Sequence, residues 1–249
     1  MRRADDARRH WIFARVFLTL TGCFASLGIT SSTISQEDSV LDPPQDGLLD
    51  VIQRVRRGVV TVRIEGQDAA SLDQVMTTPS RLDDLGGSGV VIDADRGLIL
   101  TADSLVEEAE RRDQPLRVVV SDGRSRPVLD WKRDPGSDLA LLVIDPTGLG
   151  LCSLEWGDSE SLQIGDRVLA IGQPLGFSGS VSSGIISGLG RSFSQNTYRD
   201  LIQTDAALAT GNAGGALVLF DGTLVGIALE IPILGEIHNP FGFAVPSRR

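Results

Sequence analysis

Histidine and cysteine, the side chains most suited to base and metal chemistry near neutral pH, are scarce in this 249-residue sequence. Its histidines are His10 and His238, and its cysteines are Cys23 and Cys152. No CxxC pair, HExxH helix or other cluster has metal-ligand spacing, so no metal and no cofactor are expected. No GxxxxGK[ST] occurs, which excludes phosphate-loop chemistry. The stretch that invites a chemical reading is 203–218, QTDAALATGNAGGALV. A polar strand end, Gln203-Thr204-Asp205, enters a loop holding Gly211, Gly214 and Gly215, and an apolar run follows. Glycine at that density suits a backbone that adopts φ > 0 or closely approaches a ligand. Taken alone, the stretch is equally a tight turn between two strands of a β domain. Ser88, Ser137 and Ser178 read as loop serines without a base. Ser104 follows a strand, where serine suits a helix cap.

The elements that would position this loop read mostly as strands. Leu48, Leu49, Ile52 and Val55 have helical spacing and predict a short amphipathic helix over 48–57. Residues 59–64 alternate as a strand, and 66–85 form a polar loop long enough to be functional or mobile. A strand pair is expected over 86–93 and 97–101. Residues 117–120 and 128–131 form a hairpin around Ser121-Asp122-Gly123. Residues 145–150, with Pro146, separate two β halves, and the second half opens at Leu151. Asp221-Gly222 makes a hairpin turn, and 224–229 reads as the strand after it.

The N-terminus has a different character. Arg2, Arg3, Arg8 and Arg9 precede a mostly apolar run over 11–30, broken by Arg15, and then a small polar stretch over 31–35. That order predicts a signal peptide or membrane anchor over 1–35 and therefore export. Leu20-Thr21-Gly22-Cys23 also looks like a lipobox, so a lipoprotein is a third reading. Residues 36–47, acidic and containing Pro43-Pro44, read as a linker. With Cys23 in the leader, Cys152 has no partner and is expected as a small buried hydrophobe. A net charge of −10 with scattered Lys and Arg excludes a nucleic-acid surface. A hydrophobic content of 41% suffices for a substantial core.

Four motifs, in order, resemble the HtrA (Deg) family of trypsin-like serine proteases. Residues 203–218 resemble TDAAINxGNSGGAL. Residues 86–106 resemble GSGxIIDxxGxILTNxHVV. Residues 134–142 resemble DPxSDLALL, and 157–176 resemble GDSxxLxxGDxVxAIGxPxG. The stretch 241–246 is similar to the family's closing strand. The resemblance implies an all-β fold: two six-stranded β-barrels of the trypsin-like (chymotrypsin) type packed around a central cleft. It divides 48–249 into barrels over 48–150 and 151–249, with no PDZ domain expected.

The same resemblance places the family's catalytic positions. Its nucleophilic serine falls on Ala213, its general-base histidine on Ser104, and its orienting aspartate on Asp138. A methyl group cannot attack a carbonyl, and a hydroxyl does not titrate near neutral pH. In subtilisin, an unrelated serine protease, losing serine or histidine alone costs about 10⁶-fold in turnover. The expectation is therefore a catalytically inactive protein of the cell envelope or periplasm. It would bind peptides or unfolded segments through the loop backbone at Gly211, Asn212 and Ala213. Leu201, Ile202, Ile227, Ala228 and Leu229 are the expected wall and floor of an apolar pocket, or equally barrel core. His238 lies on the far side of the family topology from Ser104 and is not expected to replace the base. Asp138, without a histidine, is expected to accept local hydrogen bonds. The resemblance also allows a trimer. The alternatives are a serine endopeptidase with a rearranged site and a purely structural domain.

Overall fold

The computed structural model of the chain describes residues 45–65, 86–173, 177, 179–193, 199–229 and 241–248. The leader and most of the linker, the loop at 66–85, Cys23, Ser178 and both histidines lie outside the described residues. Among the described residues, no helix is long and apolar enough to cross a membrane, and no group of His, Cys, Asp and Glu could hold a metal ion.

The first helix, α1 (Gln45–Arg56), is followed by β1 (Val59–Ile64), β2 (Gly87–Asp93) and β3 (Leu98–Ala102). Helix α2 (Asp103–Arg112) intervenes before β4 (Leu116–Val119), β5 (Ser125–Asp134) and β6 (Leu139–Ile144). These six antiparallel strands close into a barrel in the order β1-β2-β3-β6-β5-β4. The second half begins with a 3-10 turn at Ser159–Ser161 and contributes β7 (Arg167–Gly172), β8 (Ser180–Arg191) and β9 (Leu201–Thr204). It ends with β10 (Ala216–Leu219), β11 (Leu224–Leu229) and β12 (Gly242–Pro246). They close a second barrel, β10-β11-β12-β9-β8-β7. The fold is that of the trypsin-like domains, two closed six-stranded antiparallel barrels.

Among the described residues, strand periodicity divides the apolar side chains among four clusters, of which three fill the two barrels and the seam between them. Val60, Val62 and Ile64 of β1 point into the first barrel with Val91, Ile99 and Leu142. Val168 and Ala170 of β7 fill the second barrel with Ile186, Ile202 and Leu217. The alternate residues, Leu169 and Ile171, meet Val59 and Val90 of the first barrel in a shared seam. Each large aliphatic side chain so buried contributes about 1.5–3 kcal/mol.

Several elements differ from expectation. In α1, Leu49 is exposed, and Val51 takes its place beside Leu48, Ile52 and Val55 against the seam. Strand β5 begins at Ser125, before Pro127. Its pairing with β6 starts only at Val128, so the missing proline N–H costs that ladder nothing. Strand β8 runs on to Arg191 through register shifts after Ile186 and Gly188, irregularities that glycine accommodates. Cys152 is half-buried rather than core, with its thiol near the Ser153 carbonyl.

Candidate functional site

The site is built where one turn, one helix end and one loop converge. The turn joins β5 to β6. Asp134 organises it: its carbonyl accepts the Ser137 N–H (3.1 Å), and its carboxylate accepts the Gly136 N–H (3.2 Å) and the Ser137 hydroxyl (2.5 Å). The next residue, Asp138, is held at φ +54, in the left-handed region that aspartate tolerates better than most residues. Its main chain leads straight into β6, where Leu139 pairs with Ala102 at the end of β3.

That pairing sets Asp138 at the head of α2. The helix has Ala102 as its N-cap, with no side-chain oxygen to offer the first N–H groups. Asp138 supplies both acceptors from across the sheet. Its carbonyl takes the Asp103 N–H (3.1 Å), and its carboxylate Oδ1 takes the Ser104 N–H (3.1 Å). Ser104 is therefore not the cap that its type suggested. It lies inside the first turn, exposed, and contributes its backbone. The local hydrogen-bonding work expected of Asp138 is what the geometry gives, with the carboxylate buried against the positive end of α2.

Asp103 is also buried, and Arg133 neutralises it through two contacts (2.6 and 2.8 Å). The same guanidinium reaches Glu110 (2.6 Å). Hydrogen bonding to Asp103, and secondarily to Glu110, pushes the Arg133 pKa further up, so the cation stays charged. Glu110 is held below the usual carboxylate range by the Trp131 indole N–H and by Arg133.

The loop arrives from the second barrel. Thr204 donates its hydroxyl to the Ile185 carbonyl (2.8 Å), and the Asp205 carboxylate accepts the Ile185 N–H (2.7 Å), which stitches the end of β9 to β8. The Asn212 N–H reaches the Ala209 carbonyl (2.9 Å), and the Gly215 N–H reaches Asn212 (2.8 Å). Gly214, at φ +82, donates to Ala228 of β11 (2.8 Å). A Cβ on Gly214 would collide with the Ser88 carbonyl and lie 2.6 Å from the Thr101 hydroxyl and 2.9 Å from the Ala102 N. Only glycine lets the loop touch the end of β3, one residue before α2.

The segments carrying Ser104, Asp138 and Ala213 are thus brought together. Ala213 is buried, and its carbonyl accepts the Ser88 N–H (2.8 Å). The Gly211 carbonyl accepts the Ser88 hydroxyl (2.9 Å). Among the described residues, the N–H groups of Gly211 and Ala213 have no acceptor. Unpaired backbone donors in a glycine loop have the chemistry to hold a carbonyl or carboxylate oxygen; both residues are buried, and neither lines the cleft between the barrels.

Of the residues read as pocket lining, Ile202 belongs to the interior of the second barrel. Leu201 and Leu229 pack with Phe243 and Val245. Ala228 is buried between its backbone partners Gly214 and Gly215. Ile227 alone of these lines a cleft of about 480 Å³ between the barrels, beside Leu139, Trp156 and Pro246. Ser137 lies in the β5–β6 turn, as expected of a loop serine, though buried; Ser88 is not a loop serine but lies, buried, within β2. The flanking glycines hid Ser88, although a polar residue opening an apolar strand was a signal for it. Among the described residues, buried Gln173 has no partner for either carboxamide atom.

Comparison with known proteins bears on this geometry. The family profile described as trypsin-like peptidase domain matches residues 87–227. The periplasmic serine endoprotease DegP of Escherichia coli (strain K12) is 43% identical over 164 residues, 65% of this chain and 33% of that protein. The periplasmic pH-dependent serine endoprotease DegQ of the same strain is 31% identical over 245 residues, 93% of this chain and 51% of that protein. The chain thus spans between a third and about half of these relatives. Among solved structures, the HtrA-type protease AlgW with a decapeptide superposes with a TM-score of 0.63 at 31% identity, covering 80% of this chain and 63% of that one. Deg5 superposes with a TM-score of 0.64 at 26% identity, covering 83% and 91%.

Proposed function

We propose, given that the chain belongs to the trypsin-like peptidase family and is of its HtrA/DegP type, that it is a member without catalytic activity. In this reading it binds extended peptide or unfolded protein segments in the periplasm or cell envelope. Ser104 and Ala213 stand at the family's base and nucleophile positions, so the site holds no group to attack a carbonyl and none to take the proton. Asp138, the third position, is occupied in capping α2.

The observation that carries the reading is the pair of open backbone donors. Ala213 removes a side chain and leaves its N–H, so the groups that would hold a ligand oxygen survive where the reagents do not. An extended segment seated there is ordered at an entropic cost and gains no covalent capture, which sets its affinity at about micromolar. The peptide seen with AlgW supports a peptide as the ligand class. The test is fluorescence anisotropy with labelled, carboxymethylated casein, run beside a fluorogenic apolar-P1 peptide. Saturable binding without turnover is expected. Absence of binding would leave the purely structural reading.

The names of the relatives favour the other alternative, a serine endopeptidase with a rearranged site. Hydrolysis that tracks the purified protein through successive columns would establish it. Export of the chain, by a cleaved leader, an anchor or a lipidated Cys23, is supported by its periplasmic relatives. Fractionation of the native host, with Cys23→Ser as the control for lipidation, separates these routes.

A further inference from the structure

Ser88 has no exposed surface, yet every hydrogen-bonding group on it is engaged with another segment. Its N–H donates to the Ala213 carbonyl (2.8 Å), and its carbonyl accepts the Thr101 hydroxyl (2.7 Å). Its hydroxyl donates to the Gly211 carbonyl (2.9 Å) and accepts the Gln173 N–H (2.9 Å). One residue of the first barrel therefore pins both the candidate site loop and the loop after β7. The packing leaves no slack. A Cβ on Gly172 would lie 2.5 Å from the Asn212 carboxamide oxygen and 2.9 Å from the Ser88 hydroxyl.

The consequence is directional. The two carbonyls fixed by Ser88 belong to Gly211 and Ala213, the residues whose N–H groups are open. Those carbonyls lie in the 211–212 and 213–214 peptides, each one step along the chain from a peptide that carries an unpaired N–H, so Ser88 fixes where the loop sits on both sides of the Ala213 N–H. Gln173 does not replace this hold through its side chain, since its buried carboxamide has no partner among the described residues. Without the Ser88 hydroxyl, the Gly211 carbonyl and the Gln173 N–H would both be buried without their partner, and displacement of the loop from β2 would be the way to satisfy them.

We propose that Ser88 is a positioning residue: its hydroxyl holds the 211–213 backbone so that the Gly211 and Ala213 N–H groups stay presented to a ligand carbonyl. This rests on the reading that those donors bind a peptide, and it adds what keeps them in place.

The experiment compares wild type, Ser88→Ala and Ser88→Cys, the last near-isosteric with a weak donor. The first readout is the amide ¹⁵N–¹H spectrum and hydrogen exchange. The second is anisotropy with labelled, carboxymethylated casein. Expected for Ser88→Ala are shifts and faster exchange at Gly211, Asn212, Ala213 and Gln173, with Gly226 and Val168 unmoved and casein affinity lowered on the order of tenfold. Ser88→Cys should fall between the two and serves as the comparison if the alanine variant does not fold. Unchanged amides at 211–213, or a uniform change across the second barrel, would overturn the proposal. So would casein affinity that stays at the wild-type value despite shifted amides. If wild type binds no casein, the peptide-binding reading fails while the amide spectrum still decides the role of Ser88.

Discussion

At the head of α2 the backbone donors are taken: Asp103 and Ser104 both give their N–H groups to Asp138. On the other side of Gly214, in the glycine loop, the N–H groups of Gly211 and Ala213 have no acceptor among the described residues. The two regions meet in the structure, yet the donors of the first are taken and those of the second have no acceptor among the described residues. A carboxylate can turn to helix capping when no imidazole is beside it, because helix N–H groups are good partners for an anion. The Gly211 and Ala213 donors have no such partner among the described residues. On the proposed reading, Ser104 and Ala213 supply no catalytic chemistry, while the unpaired donors remain for recognition.

Changes that disturb the open region should cost most. Gly214→Ala puts a Cβ at φ +82 against the Ser88 carbonyl, and we expect it to destabilise the fold by about 2–5 kcal/mol in urea melts. Near-normal stability would mean that the loop can move away from β3. Breaking the closed region should cost less. Asp138→Ala removes a buried acceptor from the head of α2 and should lower stability by about 1–2 kcal/mol, while Asp138→Asn, which keeps an oxygen, recovers most of it. If asparagine does no better than alanine, the charge of Asp138 has a use beyond capping.

Two smaller effects calibrate the comparison. Hydrogen bonds from Arg124 hold the Asp122 pKa at about 2, below its ordinary value. A carboxylate with a depressed folded pKa adds stability above about pH 4, and this is lost as the pH falls through about 2. The group is exposed, so Asp122→Asn should flatten the thermal-stability profile only slightly, and only in that window. Ser104→Ala should be smallest of all, within about 0.5 kcal/mol in the same melts, because only its backbone is used.

How much of this was legible in the sequence depends on where the partners lie. The loop was legible because left-handed backbone and close approach leave glycines at Gly211 and Gly214. Both barrels were legible through strand alternation and through family motifs that extend over both halves. The cap on α2 was misread, since Ser104 is a good local candidate and the actual acceptor, Asp138, comes 34 residues later. Ser88 was missed for the same reason on a larger scale: its hydroxyl partner Gly211 is 123 residues away. Arg133 lies beyond the strand expected over 128–131 and gains its meaning only when β5 brings it beside Asp103.

The most direct test of the central claim, that the site lacks two side chains but keeps the backbone that served them, is to return those side chains. Ser104→His and Ala213→Ser are made singly and together, and initial rates are measured on a fluorogenic apolar-P1 peptide, with circular dichroism to verify folding. Each single change should stay at the wild-type background, because the members of a triad act as a unit. The double variant should rise above it on the order of 100-fold or more, short of the about 10⁶ of a fully aligned triad, since a misplacement of about 1 Å costs about 100-fold. Adding Asp138→Ala should remove most of that gain. Measurable turnover by the purified wild type, or a well-folded double variant that remains at background, would contradict the account.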